Sequence, residues 1–121
     1  MKKTLTVAQV QMPVTRDKSE NIAVACRLIR RAAKQGAELA MLPEMFCCPY
    51  ENRAFRPYGE PLGGPAQQAV SALARELGIW IIAGSLPELE GERVYNTAHV
   101  DAHGNLSRTE RQGTDTRHIL G

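Results

Sequence analysis

One carboxylate is singled out by its place in the chain, because it directly follows a short apolar run that ends in proline. The run is residues 39–42, Pro43 ends it, and Glu44 comes next. Ligands of α/β proteins bind beyond the carboxyl ends of the strands, so Glu44 is a candidate general base. A carboxylate here could also cap the following turn. Position alone leaves the two interpretations even.

Two thiols, Cys47 and Cys48, lie close to this carboxylate in sequence. A thiol beside a carboxylate invites interpretation as a nucleophile, and adjacent cysteines can form a strained redox disulfide. Buried or half-buried free thiols are the commoner case, and we expect them here. Cys26 falls on the apolar face of a predicted helix and is assigned to the core.

Two aromatic residues follow the carboxylate. Phe46 and Tyr50 are candidates to line a substrate pocket. Aromatic side chains after a strand more often pack a loop onto the sheet, so both roles stay open.

Neither a metal site nor a cofactor site is predicted. His99 and His103 flank a predicted turn with a spacing that does not suit a metal, and we expect them at the surface. Residues 63–65 (GGP) lack the strand and lysine of a phosphate-binding loop. The three cysteines match neither zinc-ligand spacing nor a disulfide framework, so reduced thiols are expected.

The elements that position these groups alternate between strand and helix. A buried first strand is predicted over residues 3–10, and residues 39–42 form the second. Between them, Asp17 and Glu20 make a capping pair that starts a helix, and Gly36 ends it. The apolar face of this helix carries Ile22, Ala25, Cys26, Leu28, Ile29 and Ala33.

The second half continues the alternation after a long irregular excursion over residues 43–65. A helix opens at Gly64-Pro65 and buries Val70, Leu73, Ala74 and Leu77 before Gly78 caps it. Strands follow at 79–83 and 94–100, joined by a charged turn at 87–93, and a return strand starts at Leu106. This pattern predicts an α/β fold.

Composition excludes several classes of protein. The chain has 121 residues, 43% of them hydrophobic and 23% charged, which is ordinary for one globular domain. A net charge of +2 with mixed signs gives no surface for nucleic acid. No apolar run spans a bilayer, and the N-terminus lacks a signal-peptide cleavage site. We therefore expect a cytoplasmic protein with no membrane partner.

Five short motifs occur in order along the chain. They are residues 36–46 (GAELAMLPEMF), 49–50 (PY), 78–85 (GIWIIAGS), 94–98 (VYNTA) and 101–106 (DAHGNL). Together they resemble the nitrilase superfamily of carbon-nitrogen hydrolases, and the first is similar to the signature around the family's catalytic glutamate. The resemblance extends from Leu5 to Leu106, and the PY and YNTA elements are especially similar to the omega-amidase-like branch.

The resemblance implies an α-β-β-α sandwich, here incomplete, that usually dimerises and acts on small amides without a cofactor. The family site combines a glutamate, a lysine and a cysteine. The cysteine thiolate forms a thioester with the substrate, the glutamate moves protons, and the lysine stabilises the oxyanion. By motif match Glu44 is the glutamate, and neither Cys47 nor Cys48 matches the nucleophile.

The lysine and the nucleophilic cysteine have no match in this chain. No lysine follows Lys34, and residues 117–120 (RHIL) only echo the family's Arg-Lys-x-His-Leu motif. Arg117 could replace the lysine, but a surface role is expected for it. We divide the chain into residues 1–106, the N-terminal part of a hydrolase domain, and 107–121, an atypical polar tail. Our hypothesis for this tail is a frameshifted or truncated reading frame.

Two functions follow. One is descent from an omega-amidase-like hydrolase, with this chain inactive because the lysine and cysteine are missing. The alternative is a non-catalytic role, in which the chain is an interaction module or a poorly folded remnant that pairs with another family subunit through an exposed sheet. A flavodoxin-like binding domain is a third interpretation, but residues 11–16 offer no phosphate-binding loop.

Overall fold

The computed structural model describes the backbone of residues 4–114 and the side chains of residues 4–105. Five strands and three helices lie within that part. The strands are β1 (Val7–Gln9), β2 (Leu39–Met41), β3 (Trp80–Glu90), β4 (Arg93–Ala102) and β5 (Asn105–Thr114). The helices are α1 (Lys18–Lys34), α2 (Asn52–Tyr58) and α3 (Pro65–Leu77).

The strands form one mixed sheet in the order β1-β2-β3-β4-β5. The pairs β1/β2 and β2/β3 are parallel, while β3/β4 and β4/β5 are antiparallel. Parallel neighbours need a long crossover, and α1 and α3 lie on the two crossovers. The predicted α/β fold is confirmed, as is the return strand. That strand crosses residue 107, and the predicted frameshift or truncation there stays a prediction.

The ends of α1 and α3 follow from local chemistry. The Asp17 carboxylate accepts a hydrogen bond from the backbone N–H of Glu20 at 3.1 Å, as the capping prediction requires. The reciprocal bond was predicted wrongly, because Glu20 pairs with the Thr15 hydroxyl, which also accepts from the backbone N–H of Asp17. Beyond α1 and α3, Gly36 and Gly78 have φ angles of 97° and 65°, which favour glycine.

The main core lies between α1, α3 and one face of the sheet. Its fully buried side chains include Ile29 of α1, Ala40 of β2, Val70 of α3 and Ile81 of β3. Cys26 is half-buried and packs against this core, as predicted. Within residues 4–114, no helix is both long and apolar enough to cross a membrane.

The opposite face of the sheet is not covered by any described element. Leu5, Val7 and Trp80 expose 58%, 47% and 46% of their surface. The prediction of a buried first strand was therefore wrong, because alternation shows that a strand has an apolar face but not what covers it. A shallow apolar depression of about 310 Å³ lies on this face, lined by Leu5, Leu39, Trp80, Ile82 and Val100.

The β3–β4 hairpin is longer than the sequence predicts. The charged turn expected at 87–93 was wrong, since β3 continues to Glu90 and the turn is confined to Gly91 and Glu92. Glu88 lies inside β3 and is only 1% exposed. The charged residues of this segment indicated a solvent-exposed turn, whereas their backbone pairs with β4 and extends β3 to Glu90.

The excursion over residues 43–65 contains α2, a short helix that the sequence did not predict. Its Phe55 packs in a small second cluster with Met45, Cys48, Ala54 and Val94. Near the end of the excursion, Glu60 is 2% exposed and bonds to the backbone of β3 on both sides: its N–H donates to Pro87 and its carbonyl accepts from Leu89. The long loop is therefore fixed to the sheet at two places.

Candidate functional site

Glu44 lies immediately beyond the pairing of β2 with β3. The last backbone bond of that pairing runs from the Leu42 N–H to the Ile82 carbonyl at 2.9 Å. Pro43 has no N–H to continue the ladder, so the chain leaves the sheet and Glu44 is exposed at its edge. This is the location at the carboxyl end of a parallel strand that the sequence predicts.

Two side chains bind the Glu44 carboxylate. The Asn96 amide of β4 donates to Glu44 Oε1 at 3.0 Å, and the Tyr50 hydroxyl donates to the same oxygen at 3.3 Å. Through Asn96 the carboxylate is joined to a strand residue 52 positions later in the sequence, and through Tyr50 it is joined to the irregular loop.

The backbone after Glu44 is held by Ser85 of β3. The Met45 N–H donates to Ser85 Oγ at 3.1 Å, and the Phe46 N–H donates to the Ser85 carbonyl at 3.3 Å. Met45 has a φ of 52°, a left-handed conformation that costs roughly 1–2 kcal/mol in a residue with a side chain. Ser85 satisfies the buried N–H that this turn creates.

Gly84 allows the chain to pass close to β3 at this point. A Cβ at Gly84 would lie 1.7 Å from the Leu42 carbonyl oxygen, which real atoms never approach so closely. The register of β3 with β4 shifts between Ala83 and Leu86, so Gly84 and Ser85 form a local bulge. Bulges of this kind redirect side chains beside functional sites. Here the bulge directs Ser85 to the Glu44 turn.

The two candidate substrate-lining aromatics have different environments. Phe46 is fully buried in the main core and has no surface to offer a substrate, which matches the packing role left open from the sequence. Tyr50 is 69% exposed, and its ring meets Phe55 edge to face at 5.7 Å between centroids. Helix α2 therefore supports Tyr50 beside Glu44, and substrate contact by Tyr50 stays a prediction.

The thiols near Glu44 are not activated. Cys47 and Cys48 are free and buried, as expected from the sequence. Burial raises the pKa of Cys47 to about 12 and that of Cys48 to about 11. The Cys48 thiol donates to the Pro49 carbonyl at 3.2 Å. A protonated, buried thiol is a poor nucleophile, so neither cysteine suits covalent catalysis.

Sequence reasoning missed the roles of Gly84, Ser85 and Asn96. The signal was present, since these residues lie in the GIWIIAGS and VYNTA motifs, but only the structure brings them to Glu44.

The histidines fit the prediction only in part. His103 is exposed, whereas His99 is fully buried, with its Nε2 3.5 Å from Glu88 Oε1. The surface prediction for His99 was therefore wrong: it projects from β4 toward the helix-covered side of the sheet. Arg117 and residues 117–120 lie outside the described residues. In the part of the chain that is described, no cluster of three metal-ligating side chains is present.

The geometry provides a carboxylate that can exchange protons at the rim of a sheet. A neutral amide and a phenol donate hydrogen bonds to this carboxylate, and the Glu44 side chain is exposed among the described residues. This arrangement suits a general base more than a structural ion pair, because no cationic side chain among residues 4–105 contacts the carboxylate.

Comparison with known proteins identifies the class. Residues 6–116 match the family model for carbon-nitrogen hydrolase, and the chain belongs to that family. Among characterised relatives, the omega-amidase NIT2 of Bos taurus is 42% identical over 97 residues, which cover 80% of this chain and 35% of that protein. The omega-amidase NIT2 of Homo sapiens is 40% identical over 94 residues, or 78% of this chain and 34% of that protein. The chain thus spans about a third of the length of these relatives.

Solved structures agree with the fold. Nit3 of Saccharomyces cerevisiae, a member of branch 10 of the nitrilase superfamily, superposes with a TM-score of 0.77 at 29% identity and covers 91% of this chain and 44% of that one. An amidase from Nesterenkonia sp. gives a TM-score of 0.67 at 26% identity, over 85% and 40% of the two chains. The described sheet and helices are therefore part of a carbon-nitrogen hydrolase fold.

Proposed function

We propose that this chain supplies the general base, Glu44, of a site that hydrolyses small ω-amides of dicarboxylic acids. The observation that carries the proposal is the carboxylate at the end of β2, held by Tyr50 and Asn96. Similarity to omega-amidases over most of this chain supports the substrate class.

In the proposed reaction, Glu44 takes the proton of a cysteine thiol, and the thiolate attacks the amide carbonyl. The tetrahedral intermediate collapses to a thioester, and Glu44 returns the proton to the departing ammonia. Glu44 then takes a proton from water, whose attack on the thioester releases the acid and the thiol. A lysine ammonium stabilises the oxyanion in both steps.

The nucleophile of this reaction is not among the 121 residues. Cys47 and Cys48 are buried with raised pKa values, and Cys26 lies on α1, half-buried against the main core. The only lysines are Lys2, Lys3, Lys18 and Lys34, and Lys18 is engaged by Glu60 at 2.8 Å. We therefore propose that these 121 residues by themselves do not hydrolyse amides.

The test separates the two parts of this proposal. The purified 121-residue chain is expected to release no ammonia from an ω-amide. Mixing it with the part of Bos taurus omega-amidase NIT2 beyond the matched segment is expected to restore release, and Glu44→Gln is expected to abolish it. The matched control is Glu51→Gln, an exposed carboxylate paired with Arg16, which should retain release. Release by the chain alone that is sensitive to cysteine alkylation would overturn the inactivity.

A second candidate function is a non-catalytic module that pairs with another subunit of the family, and the uncovered apolar face favours it. Trp80 and Leu5 are exposed on this face and line the apolar depression. A strictly monomeric species in sedimentation, with and without a family subunit, would argue against pairing. The cytoplasmic location, a homodimer, and the absence of nucleic-acid and membrane partners also stay predictions.

A further inference from the structure

The two donors that bind Glu44 share one oxygen. Asn96 Nδ2 lies 3.0 Å and the Tyr50 hydroxyl 3.3 Å from Glu44 Oε1. No hydrogen bond reaches Oε2 from any side chain described in residues 4–105. Among the described side chains the carboxylate is therefore bound asymmetrically, with Oε1 held by two donors and Oε2 by none.

The Asn96 side chain is committed to this contact. Its Oδ1 is buried and accepts no hydrogen bond from the described residues. A flipped amide would turn this oxygen toward the carboxylate and place two acceptors against each other. The negative charge of Glu44 thus fixes the amide with its N–H groups toward Oε1.

We propose that Asn96 is a positioning residue that immobilises Oε1 of Glu44 and leaves Oε2 as the oxygen that exchanges protons. This inference rests on the proposed function of Glu44 as the general base. The longer bond from the exposed Tyr50 is the weaker of the two restraints.

The physical reason is that proton transfer needs the accepting oxygen within hydrogen-bond distance in a fixed direction. A glutamate side chain rotates freely about its χ angles when exposed. An amide on the rigid β3–β4 hairpin removes that freedom without neutralising the carboxylate, as a lysine or arginine would tend to do.

The contact can be tested in the 121-residue chain without any catalysis. Asn96→Asp replaces the donor by a carboxylate of the same shape, which faces Glu44, and should lower the folded-to-unfolded ratio about tenfold at neutral pH. Glu44→Gln alone should change it little. The combination of both substitutions should recover most of the loss, because the introduced amide donates to the introduced carboxylate.

Urea unfolding of the four chains measures this coupling as a double-mutant cycle. Additive effects would show that Asn96 and Glu44 do not meet, and would overturn the proposal. The matched control is Asn52→Asp at an exposed position of α2, which should show no coupling to Glu44→Gln.

Catalysis gives a second readout in the mixture with the omega-amidase segment. Asn96→Ala should lower kcat about 10- to 100-fold with KM changed less than about twofold, and Tyr50→Phe should cause a smaller loss. An unchanged kcat for Asn96→Ala would overturn the proposal. If the unsubstituted mixture releases no ammonia, the proposed function fails, and the unfolding cycle still decides whether Asn96 holds Glu44.

Discussion

The Lys18 ammonium lies 2.8 Å from the Glu60 carboxylate, although 42 residues separate them in sequence. The same carboxylate accepts from the backbone N–H groups of Ala66 and Gln67, at 3.0 Å each, in the first turn of α3. The Lys18 ammonium also donates to the Tyr58 carbonyl at 2.9 Å. The Lys18–Glu60 pair therefore joins the start of α1, the end of α2, the start of α3 and the loop beside β3.

Removing this carboxylate should be costly. Glu60→Ala leaves Lys18 without its carboxylate partner and two helix N–H groups without an acceptor, so we expect a loss of about 2–4 kcal/mol in the free energy of unfolding. The control is Glu51→Ala, which breaks the exposed Arg16–Glu51 pair and should cost less than about 0.5 kcal/mol. Equal losses in urea unfolding would contradict the central place of Glu60.

The close approach of β2 to β3 predicts that Gly84 tolerates no side chain. Gly84→Ala forces a methyl group against the Leu42 carbonyl, and we expect a loss of about 3 kcal/mol or failure to fold. Gly91→Ala is the control: its φ is 59° and nothing lies within 4 Å of an added Cβ, so only the backbone cost of about 1 kcal/mol is expected. Thermal unfolding of both variants distinguishes steric conflict from backbone strain.

Ser85 should matter for the turn that carries Glu44. Ser85→Ala removes the acceptor of the buried Met45 N–H, and a loss of about 1–2 kcal/mol is expected. Hydrogen exchange should accelerate at Met45 and Phe46 first. Ser71→Ala, which removes a half-buried bond to the Gly104 carbonyl, should leave exchange at Met45 unchanged. Unaltered exchange at Met45 in Ser85→Ala would contradict the assigned role.

The cysteines should react slowly with an alkylating reagent. At pH 8, a pKa of about 12 leaves roughly one Cys47 thiol in ten thousand as thiolate. Burial also raises the pKa of the half-buried Cys26. Mass spectrometry of iodoacetamide-treated native chain should find little modification, with Cys26 reacting first, and three modifications in urea. Rapid alkylation of Cys47 in the folded chain would contradict its burial.

The same burial predicts a dependence of stability on alkaline pH. In the unfolded chain Cys47 and Cys48 titrate near their ordinary value of 9.0, and in the folded chain near 12 and 11. The folded state therefore keeps protons that the unfolded state loses. The stability contributed by the neutral thiols should be complete below pH 9 and should decline as pH rises toward 12. Replacing both cysteines by alanine should flatten this part of the urea-midpoint profile.

Local signals in the sequence predicted what local chemistry controls. The Asp17 cap, the Gly78 termination and the position of Glu44 just beyond the end of β2 depend on neighbours a few residues away, and these positions are confirmed. The extension of β3 through Glu88 and the burial of His99 depend on pairing and packing between distant segments. Charge and polarity indicated solvent at both positions, and both predictions were wrong.

The candidate site divides in the same way. Glu44 is a candidate from its position and its motif, whereas its hydrogen bond with Asn96 joins residues that are 52 positions apart in sequence. The motifs that contain Glu44 and Asn96 resemble those of the family, but they do not indicate that the Asn96 amide donates a hydrogen bond to the Glu44 carboxylate. Glu60 gave no signal, because an acidic residue in a loop rich in proline and glycine is typical of a solvated surface.

The uncovered sheet face also carries the residue whose intrinsic fluorescence can report when that face is covered. Trp80 is the single tryptophan in the sequence, and it lies 46% exposed beside Leu39 and Ile82 on that face. Its ring meets His103 edge to face, with centroids 5.9 Å apart. Any segment or subunit that covers the sheet displaces water from this indole, so its fluorescence emission moves to shorter wavelength and becomes harder to quench with iodide.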